Sequence, residues 1–120
     1  ATAAQEGIKI NLAIINNGYL GMVRQWQEFF YESRYSATPL HNPDFVKLAE
    51  AHGLAGRSVE RREDVEDAVR WAHEEIGTVL PDFRVEREDV VYPMVPAGAD
   101  LDAMIRRPKP SMIADAHLET

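Results

Sequence analysis

The sequence contains no cysteine in its 120 residues, which excludes a disulfide framework, a thiol nucleophile and a thiolate-bound metal. It is also short of positive charge: 13 lysines and arginines face 20 aspartates and glutamates, for a formal net charge of −7. Nucleic acids and anionic membranes both recruit a basic field, so neither is an expected partner. An anionic ligand would need a metal ion, backbone N–H groups or a few local cations. No apolar run has the length of a membrane span and no signal peptide is visible, so a cytoplasmic protein is expected. The histidines His41, His52, His73 and His117 show no metal-ligand spacing, and His73, among acidic residues on a helical pattern, reads as solvated. No serine or threonine sits in a nucleophile elbow, and neither common Gly-rich phosphate loop occurs. The acidic runs Glu60 to Glu66 and Glu86 to Asp89 read as solvated faces.

What remains is an ordinary globular composition, 45% hydrophobic and 28% charged, in a chain long enough for one domain with a core. Its most informative stretch runs from Ile14 to Trp26. An apolar strand ends at Asn16-Asn17-Gly18, and an apolar, aromatic helical pattern begins at Leu20. Adjacent carboxamides at a strand's carboxyl edge place hard oxygen acceptors where open α/β sheets bind ligands. A carboxamide oxygen and a nearby turn carbonyl suit Mg²⁺. An ordinary Asn-Gly turn between a strand and a helix would look the same.

Ala1 to Gly7 reads as the last turns of a helix stopped by glycine, so a fragment or processed piece of a longer polypeptide is expected. Ile8 to Ile15 reads as a strand covered on both faces. Leu20 to Tyr31 reads as a helix with Met22, Val23, Trp26, Phe29 and Phe30 along one face. After a loop from Glu32 to His41, Asn42 as N-cap and Pro43 in the first turn open a second helix that Gly53 stops. A short strand over Ala55 to Val59 follows. Glu63 to Ile76, striped with Val65, Ala68, Val69, Ala72 and Ile76, reads as a helix closed by Gly77. Thr78 to Glu86 reads as a third strand, in which Pro81 predicts an edge position, a bulge or a late start. Val90 to Gly98, with two prolines, must be extended, and Asp100 to Arg106 reads as a short helix. Alternating strands and helices predict an α/β fold: a parallel sheet with helices on both faces.

Asn16-Asn17 followed by Tyr19-Leu20-Gly21-Met22-Val23-Arg24-Gln25-Trp26-Gln27 resembles the second half of a thiamine-diphosphate motif, as found in acetolactate (acetohydroxyacid) synthase catalytic, or large, subunits. The likeness continues through Phe29-Phe30-Tyr31, Arg34-Tyr35-Ser36, Pro43 to Glu50, and Val85 to Glu88. It ends at Tyr92-Pro93-Met94-Val95-Pro96-Ala97-Gly98. The Asn-Asn pair is widely shared, whereas Leu-Gly-Met-Val-x-Gln-Trp with Tyr-Pro-Met-Val-Pro-Ala-Gly is much more specific. The resemblance implies the C-terminal portion of a three-layer, pyrophosphate-type thiamine-diphosphate-binding domain over residues 1–105, its N-terminal part missing, and a poorly ordered tail over 106–120.

The resemblance also implies roles. The Asn17 side-chain oxygen and the Tyr19 backbone carbonyl would bind the Mg²⁺ that anchors the cofactor's diphosphate. Leu20, Gly21 and Met22 would lie along thiamine diphosphate. Met22, Val23, Trp26 and Phe30 would line the substrate pocket, with Ala97 and Gly98 at its mouth. No catalytic residue falls in this stretch: the Gly-Asp-Gly half of the motif and the activating glutamate belong elsewhere in the family's longer chains. The chain alone is therefore expected to be inactive. The implied reaction decarboxylates pyruvate and joins the two-carbon unit to pyruvate or 2-ketobutyrate, in branched-chain amino-acid biosynthesis. FAD, a homodimer or homotetramer and a small regulatory subunit accompany the full-length family members. Another thiamine-diphosphate enzyme, of glyoxylate carboligase or pyruvate oxidase type, is the near alternative. A non-catalytic binding or assembly module is the distant one. Thr78 and Pro81 stand where the family commonly has proline and an aliphatic residue.

Overall fold

The computed structural model describes residues 1–108, so most of the expected tail, and His117, lie outside the described residues. The chain divides into two compact units, Ala1–Asp89 and one that begins at Val90. In the first, the order is α1 (Thr2–Gln5), β1 (Ile14–Asn16), α2 (Gly21–Phe30), α3 (Phe45–Ala51), β2 (Ala55–Val59), a 3-10 turn at Arg62–Asp64, α4 (Val65–Glu74) and β3 (Val79–Arg84). The strands form a parallel sheet in the spatial order β1-β3-β2.

That order explains the layers. The connection from β1 to β2 passes across the place of β3, and the connection from β2 to β3 steps back. Right-handed crossovers taken in opposite directions must lie on opposite faces. Accordingly, Gly56 of β2 faces α3 so closely that a Cβ there would sit 2.9 Å from the Val46 Cα and 3.1 Å from the Ala49 Cβ. On the other face Arg57 lies over the ring of Trp71 in α4 (5.8 Å). Gly56 pairs with Leu80 and Ser58 with Asp82, so Leu80, Asp82 and Arg84 share the α3 face. The buried apolar core is small: Ala49, Val59, Ala68, Ala72, Val79 and Leu80. Alanines where helices meet the sheet permit this close approach, but each buries little apolar surface.

Pro81 is neither at an edge nor in a bulge, and β3 does not start after it. It is buried in the central strand, opposite Arg57 of β2. The alternation of parallel-ladder bonds resolves the difficulty. Val79 and Val85 both bond toward the β1 side, through Val79 N to Ile10 O (3.0 Å), Leu12 N to Val79 O (2.9 Å) and Val85 N to Asn16 O (3.1 Å). Pro81 has the same parity, so its missing N–H faces β1 as well. There β1 breaks: Asn11 bridges Val79, and pairing resumes only at Ile14 opposite Asp82, in the same register. The strand expected over Ile8 to Ile15 is thus interrupted, bridging β3 at Asn11 and laddering again from Ile14, and it is not covered on both faces: Ile8, Ile10, Leu12 and Ile15 are exposed.

Other elements shift at their boundaries. Asn42 does not cap α3; Asp44 does, its carboxylate accepting from Lys47 N at 3.1 Å, and Pro43 lies outside the helix. The helix closes as expected at Gly53, with Gly53 N donating to Glu50 O and Leu54 N to Ala49 O, both 2.9 Å. The helix expected over Glu63 to Ile76 opens as a 3-10 turn and stops at Glu74, because Glu75 is extended. Lys9 Nζ donates to the Ala72 carbonyl at 2.6 Å, satisfying the helix end without Gly77, and Ile76 stands 93% exposed rather than in the core. In the second unit, Met94 and Ile105 exchange both backbone bonds (2.9 and 2.7 Å). This pairing pulls Ile105 into extended backbone and leaves only a 3-10 turn, Leu101–Ala103, of the expected helix; Asp100 makes no capping bond.

Candidate metal and cofactor site

The site grows out of the carboxyl edge of β1. Asn16 ends the strand and is buried, and both ends of its carboxamide are engaged. Its Oδ1 accepts from Gly18 N (3.1 Å) and from Asn42 Nδ2 (2.9 Å), while its Nδ2 donates to Asp82 Oδ2 (3.4 Å). Asn42, expected as a helix cap, thus serves the turn instead. The chain reverses through Gly18 at φ +70°, a conformation that glycine takes without steric cost. Asn17 Oδ1 accepts from Tyr19 N at 3.0 Å, a local side-chain-to-backbone turn. Leu20 N to Thr38 O and Leu40 N to Gly18 O, both 2.8 Å, staple the following loop alongside.

Two oxygens suit a hard cation. The Asn17 carboxamide oxygen has taken one donor and keeps a second lone pair. The Tyr19 carbonyl takes no backbone hydrogen bond among the described residues. Both residues are half-buried. Asn17, Asn16, Gly18, His41, Asn42, Arg84 and Arg87 line a cleft of about 390 Å³. Arg84 Nε engages Asp82 Oδ2 at 3.0 Å, which leaves the rest of its fork free to meet an anion. In a chain of net charge −7, this is a local cationic rim. Neutral oxygen donors beside such a rim fit a metal-bound diphosphate.

Gly21, the first residue of α2, matters for space. A Cβ there would lie 2.8 Å from Asn17 Nδ2, so the bare Cα is what seats the carboxamide. Beyond it α2 inverts the usual amphipathic arrangement. Arg24 and Gln25 are buried, whereas Leu20, Met22, Val23, Trp26 and Phe30 are exposed. Met22, Val23 and Trp26 line an open apolar hollow of about 330 Å³, and Phe30 stands edge-on to Trp26 with centroids 5.2 Å apart. Phe29 is half-buried. Arg24 is held by rings and a carboxylate: it lies over Tyr35 (4.5 Å) and Tyr19 (5.4 Å), and its Nη1 meets Glu28 Oε2 at 3.2 Å. Arg87 lies over the Tyr19 ring as well, at 5.1 Å.

The expected residues therefore divide into two neighbouring groups, Asn17 with Tyr19 at the turn and Met22, Val23, Trp26 and Phe30 along α2. Sequence reasoning gave Asp82, Asn42, Arg84 and Arg87 no place in the site. For Asp82 a signal existed: an acid inside the apolar run Val79 to Phe83 must find buried partners. His41, on the cleft wall, and His52 and His73 are exposed, and no cluster of metal-ligating acids and histidines occurs among the described residues. No helix among them is long and apolar enough to cross a membrane.

A parallel α/β sheet with a carboxamide turn at its carboxyl edge has the layout in which open α/β folds bind ligands, and sequence comparison specifies the family. The chain belongs to the family described as thiamine pyrophosphate enzyme, C-terminal TPP binding domain, which matches residues 1–83. It is 52% identical over 108 residues to the acetolactate synthase of Mycobacterium bovis and to the acetolactate synthase large subunit of Mycobacterium tuberculosis, covering 85% of this chain and 18% of each relative. The mitochondrial acetolactate synthase catalytic subunit of Saccharomyces cerevisiae is 43% identical over 105 residues, 88% of this chain and 15% of its own length. The chain thus spans less than a fifth of these relatives. Among solved structures, the thiamine diphosphate-dependent 4-hydroxybenzoylformate decarboxylase of Rhodococcus jostii RHA1 superposes with a TM-score of 0.66 at 29% identity, over 73% of this chain and 17% of that one. The resemblance carried by the motifs at Asn16 to Gln27 and Tyr92 to Gly98 agrees with these relatives.

Proposed function

We propose that this chain supplies one half of a thiamine diphosphate and Mg²⁺ site in an acetolactate synthase, which joins two 2-keto acids with loss of CO₂. The observation that carries this reading is the Asn17–Tyr19 oxygen pair, held at the β1 edge by the Tyr19 N to Asn17 Oδ1 bond of 3.0 Å. When bound, thiamine diphosphate would supply the carbanion chemistry and the metal would anchor its diphosphate. The chain's own residues bind and orient. Asn17 Oδ1 and the Tyr19 carbonyl hold the metal, Arg84 and Arg87 offset negative charge, and Leu20, Gly21 and Met22 lie along the cofactor. Trp26, with Val23 and Phe30, offers an apolar wall that excludes water and selects the second keto acid, pyruvate or 2-ketobutyrate.

In this reading residues 1–105 belong to a larger cofactor-binding domain, and the complete enzyme is an FAD-containing homodimer or homotetramer in the cytoplasm with a small regulatory subunit. The 52% identity to acetolactate synthases against 29% to the decarboxylase favours the synthase.

The test uses the product of the complete reading frame. Asn17→Ala should abolish Mg²⁺-dependent thiamine diphosphate binding, and Trp26→Leu should change the ratio of 2-ketobutyrate to pyruvate used as acceptor while leaving cofactor binding intact. Unaltered cofactor affinity in the first variant would falsify the metal assignment, and an unaltered acceptor ratio in the second would remove Trp26 from the pocket. The 120-residue chain alone should show weak cofactor binding and no turnover.

A further inference from the structure

Asp82 lies on the central strand, 1% exposed, and plays no part in the function proposed above. Its surroundings are unusual for a stabilising acid. Oδ2 receives both Arg84 Nε (3.0 Å) and Asn16 Nδ2 (3.4 Å), while Oδ1 is buried without a partner among the described residues. A half-satisfied buried carboxylate is a poor source of stability, and an apolar residue of like size would often serve as well. What the carboxylate does provide is direction.

A carboxamide can be seated either way round. Asn16 must turn its oxygen toward two donors, Gly18 N and Asn42 Nδ2. The opposite seating would put its NH₂ against both donors and its oxygen against the Asp82 carboxylate. The 3.4 Å bond is long, as expected for an acceptor shared with Arg84, but its charge makes the reversed seating repulsive.

We propose that Asp82 is a positioning residue. By fixing the orientation of the Asn16 carboxamide it sets the Asn16-Asn17-Gly18 turn, and through the turn the direction of the Asn17 and Tyr19 oxygens. Its effect on metal binding rests on the reading of Asn17 and Tyr19 as metal ligands; its effect on the turn does not.

The experiment compares the full 120-residue chain with Asp82→Leu, which keeps the buried volume filled and removes the acceptor, and Asp82→Asn, which restores an oxygen. Amide exchange of Gly18 should speed up about tenfold or more in the leucine variant, while Leu12, bonded within the sheet, is unchanged. The asparagine variant should bring Gly18 back to within about threefold of the parent. Manganese(II), added with thiamine diphosphate as a paramagnetic stand-in for Mg²⁺, should broaden the Tyr19 signals in the parent and the asparagine variant. The leucine variant should need about ten- to a hundredfold more manganese for the same broadening. Parent-like Gly18 exchange in the leucine variant overturns the proposal. If that variant does not fold, the parent decides. The Asn16 side-chain NH₂ should exchange about tenfold more slowly than that of Asn17, and equal rates overturn the proposal. Absence of manganese broadening in the parent, even at the high manganese concentration that weak binding to a half-site requires, sinks the metal reading of Asn17 and Tyr19, and leaves Asp82 to be judged by Gly18 exchange.

Discussion

Single atoms at the β1 edge decide what the site can hold. The Asn17 carboxamide keeps its position against a bare Cα, its Nδ2 lying 2.8 Å from where a Gly21 Cβ would be. The obstructing atom ends a flexible side chain, so Gly21→Ala should change stability by less than about 1 kcal/mol, helped by alanine's helix preference. The displaced carboxamide should nevertheless weaken Mg²⁺-dependent thiamine diphosphate binding in the complete enzyme by about ten- to a hundredfold. Calorimetry and thermal melting on one sample would separate the two effects. Asp44 offers a second test. The backbone N–H of Lys47 holds its carboxyl below the ordinary 3.8, aided by the Lys47 charge. Because the folded value is depressed, the cap stabilises α3 fully above the unfolded value and is lost as pH falls through the folded one. The protection of α3 amides, their exchange slowing relative to an unstructured chain at the same pH, should therefore fall as pH falls from about 5 to about 2. Asp44→Asn, which caps without a charge, should remove this dependence.

At the scale of elements, the apolar period together with cap, proline and glycine signals located every strand and α-helix of the sheet unit. It misjudged only what depends on a partner. Asn42 and Asp44 are both good caps, and which one caps was settled by Asn16, twenty-six residues away, reaching Asn42 first. Pro81 warned correctly of a missing donor, but the strand that lost the bond was its neighbour, β1. The apolar stripe of α2 was legible, yet the helical pattern alone does not tell a face turned to a core from one turned to a pocket; here Arg24 and Gln25 take the buried side. The proposed ligands Asn17 and Tyr19 were legible because they lie within the one contiguous motif that carries the family resemblance. Asp82 was not, because its meaning comes from register. The tightest element contact yields a further prediction. In Gly56→Ala the new methyl would meet the Val46 backbone at 2.9 Å, which does not yield as a side chain does. The variant should lose about 1–3 kcal/mol in denaturant unfolding.

For the molecule as a whole, the balance of buried and exposed apolar groups is uneven. Val79 and Leu80 each contribute about 1.5–3 kcal/mol by burial, but half of the six core residues are alanines. Meanwhile Ile15 is 67% exposed, Met22 53% and Trp26 41%. Such surface normally marks a place where something else packs. The chain by itself should therefore self-associate at micromolar concentration, visible by sedimentation velocity. Replacing Met22 and Trp26 together by glutamine should reduce that association without lowering the melting temperature by more than about 4 °C. A fully monomeric parent chain would contradict this account.

The bond between Asn16 and Asp82 spans 66 residues, and its consequence lies in time rather than in space. Nearly the whole sheet unit must be traversed before those two side chains meet, and loop closure of that length precedes any return from the contact. The turn that presents Asn17 is encoded early in the unit but is locked only once its last strand has joined. Where Asp82 fixes the Asn16 carboxamide as proposed, the turn reaches its final form only after β3 has joined the sheet.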